Sequence, residues 1–438
     1  MTLIAVEATI ARHRQSTRRN GISTRPASLH VHFALIALAA FGLYWLSSFL
    51  IEAAHRTTHF AADTWFYTEL AKGNILGRIA DNYHLDRIFR FHPTTVIMAA
   101  GWMQIVEPLT PWVSPEHLLK ALFALVGAVG VWAAMWAFAA VVPRRYAMLL
   151  GIIYASSLSI WYFSSIEESK IVSATLTALY IATYLHLRKA WTMRGAALLT
   201  AILLLACLNE IVAGFLVIIP VVDTLVQRGW DLRHGWWIAC HALAGPVALA
   251  VLEGIMRGRT GAAGVHPEGA THFSMLVYYI SQNDYSLGSL YAFAVRWLFF
   301  STAAPSPNGS HWADASINYG GDFELVLTNY LSSPVSASLV VLFGVMLAAG
   351  LLARYRGEGV GALTGVLLAL LAFTLLRGTF FFIFIPKECL LFSAPVVLAH
   401  LLIVCVPFAA SSFPAKQGIL AAVALLLFIT NGTFIIGQ

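Results

Sequence analysis

The chain has little charge and few residues that would suit a soluble surface. Only 11 % of its 438 residues are Asp, Glu, Lys or Arg, 59 % are hydrophobic, and the mean hydropathy is +0.75. Soluble domains carry about a quarter charged residues, so this composition excludes an ordinary soluble enzyme. No polar block is long enough to fold alone. We therefore predict a basic tail, residues 1–30, and a single membrane domain, residues 31–438.

Cysteine is also scarce, and the usual motifs of nucleotide chemistry are missing. The four cysteines lie in or beside apolar runs, without the paired spacing of a zinc site or a disulfide framework. Internal repeats, heptads and a Gly-rich phosphate loop are absent from the sequence. The isoelectric point of about 9.2 then reflects membrane topology, and we expect no nucleic-acid partner.

Long apolar runs are abundant. Most approach the ~20 residues that cross a bilayer, and they are continuous and rich in Leu and Ala, which favours helices over a barrel. We predict an all-α, polytopic transmembrane helical bundle of about eleven spans. The runs free of Asp, Glu, Lys and Arg include 33–51, 121–143, 147–166, 171–187, 234–252, 325–353, 359–376, 389–415 and 417–438.

Basic residues predict the orientation. The tail carries five arginines between Arg12 and Arg25, and five short connections are basic, so we place all of them in the cytoplasm. The outer loops are then residues 52–120, 164–170, 254–334 and 377–388. The basic connections are "PRRY", "HLRKAWTMR", "QRGWDLRH", "ARYRGEG" and "FPAKQ".

One apolar stretch, residues 195–222, is interrupted by Glu210. A tight hairpin turning at Asn209 and Glu210 keeps both of its basic ends in the cytoplasm, so we predict a hairpin. Glu210 is then either a simple turn residue or a carboxylate with a function, since ionisable groups at membrane depth are costly. The first apolar run is too long for the core of a signal peptide, and we interpret it as an uncleaved anchor.

The first outer loop opens with "DTWFYTELAKG", which holds Asp63 and Lys72 in an aromatic setting. Its continuation alternates apolar and charged residues, as helices lying at a membrane interface do. The apolar piece from Thr94 to Val106 is too short to span a bilayer, and we predict an interfacial or dipping segment there.

The later outer loops hold the remaining charged candidates. Arg296 lies in the third outer loop, and the second, "SSIEESK", places two carboxylates and a lysine in a short turn. The candidates in the second and fourth loops are Glu167, Glu168, Lys170, Arg377, Lys387 and Glu388.

The first loop resembles that of the C-type glycosyltransferases (GT-C), which include bacterial aminoarabinose transferases and protein O-mannosyltransferases. Their acidic motif has the form Asp-x-x-x-Tyr-x-x-x-Ala, which Asp63, Tyr67 and Ala71 fit, and a later Lys-Pro or His-Pro pair is similar to His92-Pro93. Thr64 stands where a second acid is usual.

Two further segments extend the resemblance to most of the chain. Glu167 or Glu168 matches an acid in the next outer turn, and "PKECLLFSAPVVLA" resembles the C-terminal motif through Lys387, Phe392 and Pro395. The resemblance implies a membrane bundle of GT-C type with an active site on the extracytoplasmic face. It also implies a polyprenyl-phosphate sugar donor and a lipid, glycan or protein acceptor, and it leaves a divalent metal cofactor open.

The chemistry of such a transfer needs one base and several cations. Asp63, ionised at neutral pH, would accept the proton of the acceptor hydroxyl in an inverting displacement. The departing phosphate needs positive charge. The outer cations are Arg377, Lys387, Arg296 and Lys72, and a substrate or second acidic site would use Tyr67, His92, Glu167, Glu168, Lys170 and Glu388.

Each assignment has a simpler alternative. Asp63 would cap a helix that begins at Thr64, residues 164–170 would form a solvated turn, and His92 would only precede a proline. Arg377 and Lys387 would be interface anchors. We expect the enzyme to lie in a bacterial inner membrane, in contact with membrane lipids. Two alternatives remain for the function of the whole chain: a secondary transporter or lipid flippase, and a non-catalytic scaffold.

Overall fold

The computed structural model confirms the all-α class within the residues that it describes. Every regular element in these ranges is helical, as the long apolar runs predict. The described residues are 26–53, 67–79, 81–189, 191–227, 232–257, 280–281, 283, 285–305, 327–358, 361–386 and 389–436.

The first half of the chain forms eleven labelled helices, with short helical turns at Thr68–Lys72 and Ile75–Arg78. A 3₁₀ segment, Ile211–Val217, leads into α9. The helices are α1 Pro26–Ala53, α2 Tyr83–Phe91, α3 Pro93–Val106, α4 Pro115–Ala139, α5 Arg144–Ala155, α6 Leu158–Ser164, α7 Ser169–Leu187, α8 Met193–Asn209, α9 Ile218–Gln227, α10 Leu232–Ala242 and α11 Ala244–Arg257.

The second half adds six labelled helices. A π-helical turn, Arg296–Phe300, extends the first of them, a short helix Leu327–Leu331 precedes the second, and a 3₁₀ turn, Ala394–Val396, joins α15 to α16. The helices are α12 Leu287–Val295, α13 Pro334–Tyr355, α14 Thr364–Phe384, α15 Cys389–Ser393, α16 Val397–Ala410 and α17 Lys416–Ile436.

Capping residues and prolines fix several helix starts. The Ser114 side chain accepts a hydrogen bond from the His117 backbone N–H at 3.3 Å, and Pro115 occupies the first position of α4. Thr192 caps α8 in the same way. Proline costs nothing at a first helical position, where no partner for an N–H exists.

Fewer spans than predicted are found among the described residues. Six helical segments in the described ranges are long and apolar enough to cross a membrane, or seven if α5 and α6, which meet at a 63° bend, form one broken span. The chain is therefore a multi-pass membrane protein by helix length and composition. The prediction of about eleven spans is not confirmed, because α8 and the segment Ile211–Gln227 are too short to count.

Helices α4 and α7 lie side by side and run in the same direction. Thr175 donates to the Val126 carbonyl at 2.9 Å, and the Lys189 ammonium donates to the Ala140 carbonyl, so both contacts join residues 49 apart. Gly130 allows the close approach, since a Cβ there would lie 2.7 Å from the Thr175 hydroxyl. These two parallel helices form the centre of the bundle.

The chain reverses direction at Glu210. Asn209, at the end of α8, donates to the Ser169 carbonyl at the start of α7, 3.2 Å away. Farther along, Asp223 accepts from Arg188, which follows α7, at 2.9 Å. The two contacts lie at opposite ends of α7, so residues 211–227 return along it. This reversal agrees with the predicted hairpin.

The basic connections meet at one end of the bundle, which we call the basic end. Because α4 and α7 both finish there, their first residues lie at the opposite end. Three contacts connect the basic segments: Lys416 Nζ above the Tyr146 ring at 5.2 Å, Lys189 Nζ to Ala140 O, and Ser412 N to Glu358 Oε2 at 2.8 Å.

Helix α1 runs antiparallel to α4. The His30 and Trp132 rings lie 5.8 Å apart near the basic end, and Lys120 contacts Glu52 at 2.5 Å at the opposite end. Helices α2 and α3 also form, where the sequence predicted interfacial segments. With 14 residues, α3 is too short to span a bilayer.

Candidate functional site

A buried ion pair lies at the end of the bundle opposite the basic end. Arg377 Nη2 donates to Glu210 Oε1 at 2.6 Å, and the two side chains are 1 % and 7 % exposed. The same guanidinium donates to the Phe392 carbonyl from Nη2 at 3.3 Å and from Nε at 3.4 Å. The pair therefore joins α14 to the turn after α8 and to α15.

A second cation lies beside this pair, on an aromatic stack. The Phe381 and Phe392 rings stack at 4.2 Å, Arg377 lies over Phe381 at 5.0 Å, and Lys170 Nζ lies over Phe392 at 4.3 Å. Aromatic faces attract cations, and the attraction strengthens where water is excluded. Two positive charges are thus held close together around one carboxylate.

Asn209 fixes the geometry around Glu210. Its side-chain carbonyl accepts from the Thr95 hydroxyl at 2.6 Å, and its amide donates to the Ser173 hydroxyl at 2.8 Å. Its backbone carbonyl accepts from His92 Nδ1 at 2.5 Å. One residue therefore ties α3 and α7 to the end of α8.

The hydrogen bond to Asn209 assigns the tautomer of His92. A carbonyl can only accept, so Nδ1 carries the proton and Nε2 presents a lone pair. Burial, together with the nearby Lys170 charge, lowers the pKa of His92 to about 3, against the opposing effects of the Asn209 bond and the Glu210 charge. His92 is therefore a neutral acceptor at physiological pH. We call His92, Lys170, Asn209, Glu210 and Arg377 the central cluster.

The short segment before α7 is buried, so its interpretation as a solvated turn is wrong. Glu167, Glu168 and Lys170 are between 2 % and 6 % exposed. The turn Ala394–Val396 packs against α7, and the Ser169 hydroxyl donates to Glu168 at 3.0 Å. Burial removes these charges from water and requires compensating contacts.

A second group of charges, the flanking cluster, consists of Glu52, Lys120 and Glu167. Lys120 is 5 % exposed and pairs with Glu52 at 2.5 Å. Burial raises the pKa of Glu167 to about 7, while the charge of Lys120 opposes that rise. Glu167 therefore changes protonation near neutral pH, unlike an ordinary glutamate.

We expect Glu167→Gln to stabilise the protein at pH 8 but not at pH 4.5. The folded protein binds the Glu167 proton more tightly than the unfolded chain does. The stability that this proton contributes is fully present below the pKa of the unfolded chain, and it is lost as the pH rises through about 7. The difference corresponds to about 3 kcal/mol, observable as a higher thermal midpoint in detergent. Asp81→Asn, at an exposed carboxylate outside the flanking cluster, is the control. A gain in Glu167→Gln that is equal at both pH values would contradict this expectation.

Several predicted site residues do not join the central cluster. Lys72 is 59 % exposed and pairs with Glu69. Tyr67 is buried, with its ring 6.3 Å from that of Phe123. Arg296 begins the π-helical turn, which packs against α15. The predictions for Asp63, Lys387 and Glu388 lie outside the described residues.

The structure also identifies residues that the sequence did not single out for the site. Neither Asn209 nor Lys120 belongs to a recognisable sequence motif. Glu210 was left open between a turn and a function, and the structure now gives it a buried arginine partner. The available signal was an Asn-Glu pair inside an apolar run, because buried polar groups need partners. Among the described residues, no group of three or more His, Cys, Asp or Glu side chains has the arrangement of a metal site.

Comparison with known proteins gives no family for this chain, since no family model, curated protein or solved structure matches it.

Proposed function

We propose that this protein is an integral membrane glycosyltransferase that moves a sugar from a polyprenyl-phosphate donor to a lipid, glycan or protein acceptor. The observation that supports this proposal is the central cluster, in which Arg377, Lys170 and His92 meet within an apolar bundle. The sequence had named all three as candidates, His92 through the resemblance to C-type glycosyltransferases, and Arg377 and Lys170 as charged residues of the predicted outer loops.

The two cations suit a phosphate leaving group. Arg377 is already bound to Glu210, whereas the Lys170 ammonium lies over the Phe392 ring. We propose that Lys170 contacts the phosphate and that Arg377 adds positive charge from its fixed position. Preorganised cations stabilise the charge that develops as the bond to the sugar breaks.

Asp63 is the proposed general base. It would take the proton from the acceptor hydroxyl while the new bond forms at the anomeric carbon and the bond to the phosphate oxygen breaks. The electron pair of the broken bond leaves with the phosphate, and the anomeric centre is inverted. Direct displacement requires the base and the cations to lie on opposite sides of the sugar.

The proposed compartment follows from the charges. The basic end faces the cytoplasm by the positive-inside rule, and the central cluster then faces the outside of a bacterial inner membrane. The polyprenyl tail of the donor stays in the bilayer there, while its head group meets a hydrophilic acceptor.

A secondary transporter or lipid flippase is the second candidate. The Arg377–Glu210 pair favours it, because paired charges in membrane helices often mark a transport pathway. The two candidates differ in whether a new glycosidic bond is made.

Mass spectrometry of the envelope in strains with and without the gene tests the proposal. For the enzyme, we expect the deletion strain to accumulate a lipid-linked sugar and to lose one glycosylated lipid, glycan or protein. A changed distribution of an unmodified solute, with every glycosylated product retained, would instead support transport and overturn the enzyme proposal.

A further inference from the structure

An apolar groove runs between α13, α14 and α16 and finishes at the basic end of the bundle. Its final part has a volume of about 170 Å³ and shares four lining residues with a larger apolar cavity of about 630 Å³. The two parts therefore form one continuous groove. The shared residues are Leu347, Leu371, Ile403 and Val404.

The groove has a closed floor and an open side. Pro407 of α16 forms part of the floor, and Gly350 of α13 lets the two helices approach there, since a Cβ on it would lie 2.9 Å from the Pro407 Cβ. Leucines of α13 and α14 at the open side are between 41 % and 60 % exposed, so the groove opens sideways toward the surrounding bilayer. These leucines are Leu347, Leu351, Leu368 and Leu371.

One cation lies at the basic end of this groove. Arg354, in the last turn of α13, is the only Asp, Glu, Lys or Arg among the described residues that line either part. It is exposed, and its Nη1 donates to the Thr364 hydroxyl at 2.7 Å. A guanidinium carries five N–H donors, and no carboxylate in the described part of the chain pairs with this one. Most of its donors are therefore open to a ligand.

The surroundings of Arg354 also favour an anion. Helix α14 begins at Thr364 without a side-chain cap, and the positive end of a helix attracts negative charge. Other cations of the basic connections lie at the same end of the bundle, and they include Arg194, Lys189, Arg356 and Lys416.

The nearby carboxylates that the structure describes are already bound. Asp223 accepts from Arg188 at 2.9 Å, and Glu358 accepts from the Ser412 N–H at 2.8 Å. A negative head group at the mouth of the groove therefore meets an excess of positive charge. Basic pockets between helices at the cytoplasmic side of membrane proteins are typical sites for acidic lipid head groups.

The length of the groove suits a lipid of one leaflet. Along α13 the lining extends from Val340 to Arg354, which is about 20 Å at the rise of an α-helix. Half of a hydrocarbon core is about 15 Å thick. A lipid with its head group at Arg354 can therefore place an acyl chain along the groove. The apolar walls accept any hydrocarbon chain, whereas Arg354 selects an anionic head group.

We propose that this groove binds an anionic phospholipid of the leaflet at the basic end. The phosphate contacts Arg354, one acyl chain follows the groove, and the second chain stays in the bilayer beyond the open side. The central cluster lies at the opposite end of the bundle, so this site is separate from the proposed phosphate site of the sugar donor. Binding of the phospholipid does not depend on the proposed glycosyl transfer.

Photolabelling of the full-length protein in phosphatidylcholine nanodiscs tests the proposal. The probe is a phosphatidylglycerol that carries a photoreactive group on its acyl chain, and mass spectrometry of the peptides locates the label. We expect saturable labelling of α13, α14 and α16. Unlabelled phosphatidylglycerol should compete about fivefold better than phosphatidylcholine, the factor that one basic residue near the surface contributes to the binding of an acidic lipid.

Two variants separate the head group from the chain. Arg354→Gln should weaken competition by phosphatidylglycerol about fivefold, to the level of phosphatidylcholine. Leu371→Trp should abolish saturable labelling, because the larger side chain fills the groove where its two parts meet. Arg194→Gln is the matched control, since Arg194 is an exposed arginine at the same end that does not line the groove. Its labelling should stay at the wild-type level.

Three results would overturn the proposal. The first is equal competition by phosphatidylcholine and phosphatidylglycerol, which would show that the groove selects no head group. The second is an equal loss of labelling in Arg354→Gln and Arg194→Gln, which would assign the effect to the overall charge of the basic end. The third is stronger competition by a polyprenyl phosphate than by phosphatidylglycerol, which would assign the groove to the tail of the sugar donor.

Discussion

Arg377→Met is expected to lower stability by about 3–5 kcal/mol and to abolish sugar transfer. The substitution leaves the Glu210 carboxylate buried without the cation that now lies 2.6 Å away. It also removes a positive charge from the proposed phosphate site, a loss that typically costs several kcal/mol of transition-state stabilisation. Thermal unfolding in detergent and transfer from a lipid-linked sugar measure the two effects separately.

The double variant Arg377→Met, Glu210→Gln separates structure from function. Replacing both charges of a buried pair by neutral groups is often close to neutral for stability. We therefore expect the double variant to recover most of the lost stability while transfer stays abolished. Recovery of transfer together with stability would show that the pair is only structural and would exclude Arg377 from the proposed site.

Asp63→Asn is expected to reduce transfer by about 10²- to 10⁴-fold, the contribution that a general base usually makes. The amide keeps the volume of the carboxylate but cannot take a proton at neutral pH. Expression and membrane insertion should be unchanged. The measurement is the rate of transfer at saturating donor, in membranes that contain equal amounts of each variant.

Asp81→Asn is the control for this experiment. Asp81 is an exposed aspartate in the same predicted outer loop, so its replacement removes the same charge from that loop. Transfer should remain at the wild-type rate. Wild-type activity in Asp63→Asn would assign that aspartate to helix capping and would leave the proposed reaction without its base.

Hydropathy was enough to predict the helical class and the multi-pass membrane protein, because a long apolar run has few alternatives in a bilayer. The reversal at Glu210 was also predictable, since basic ends on both sides of residues 195–222 required a hairpin. The predicted number of spans is not confirmed, because segments such as α8 and Ile211–Gln227 are apolar but shorter than a helix that crosses a bilayer.

For the candidate site, the sequence predicted some of the member residues but not how they pair. Arg377, Lys170 and His92 were selected by residue type and motif, and the structure brings them together. The pairing of Arg377 with Glu210 was not predicted, because it joins residues 167 positions apart and leaves no local pattern. Lys72 was also selected by residue type, but it does not join the central cluster. Its side chain pairs with Glu69, three positions before it.

The long separation within the Arg377–Glu210 pair affects how the protein is made. A ribosome synthesises Glu210 and its turn well before α14 exists, so the carboxylate enters the membrane without its arginine partner and with only Lys170 of α7 nearby. An acid without its ion-pair partner is costly in that setting, and the arginine of the later helix lowers the cost. Nascent chains that stop before residue 364 should therefore be recognised by membrane proteases, whereas chains that include α14 should escape degradation.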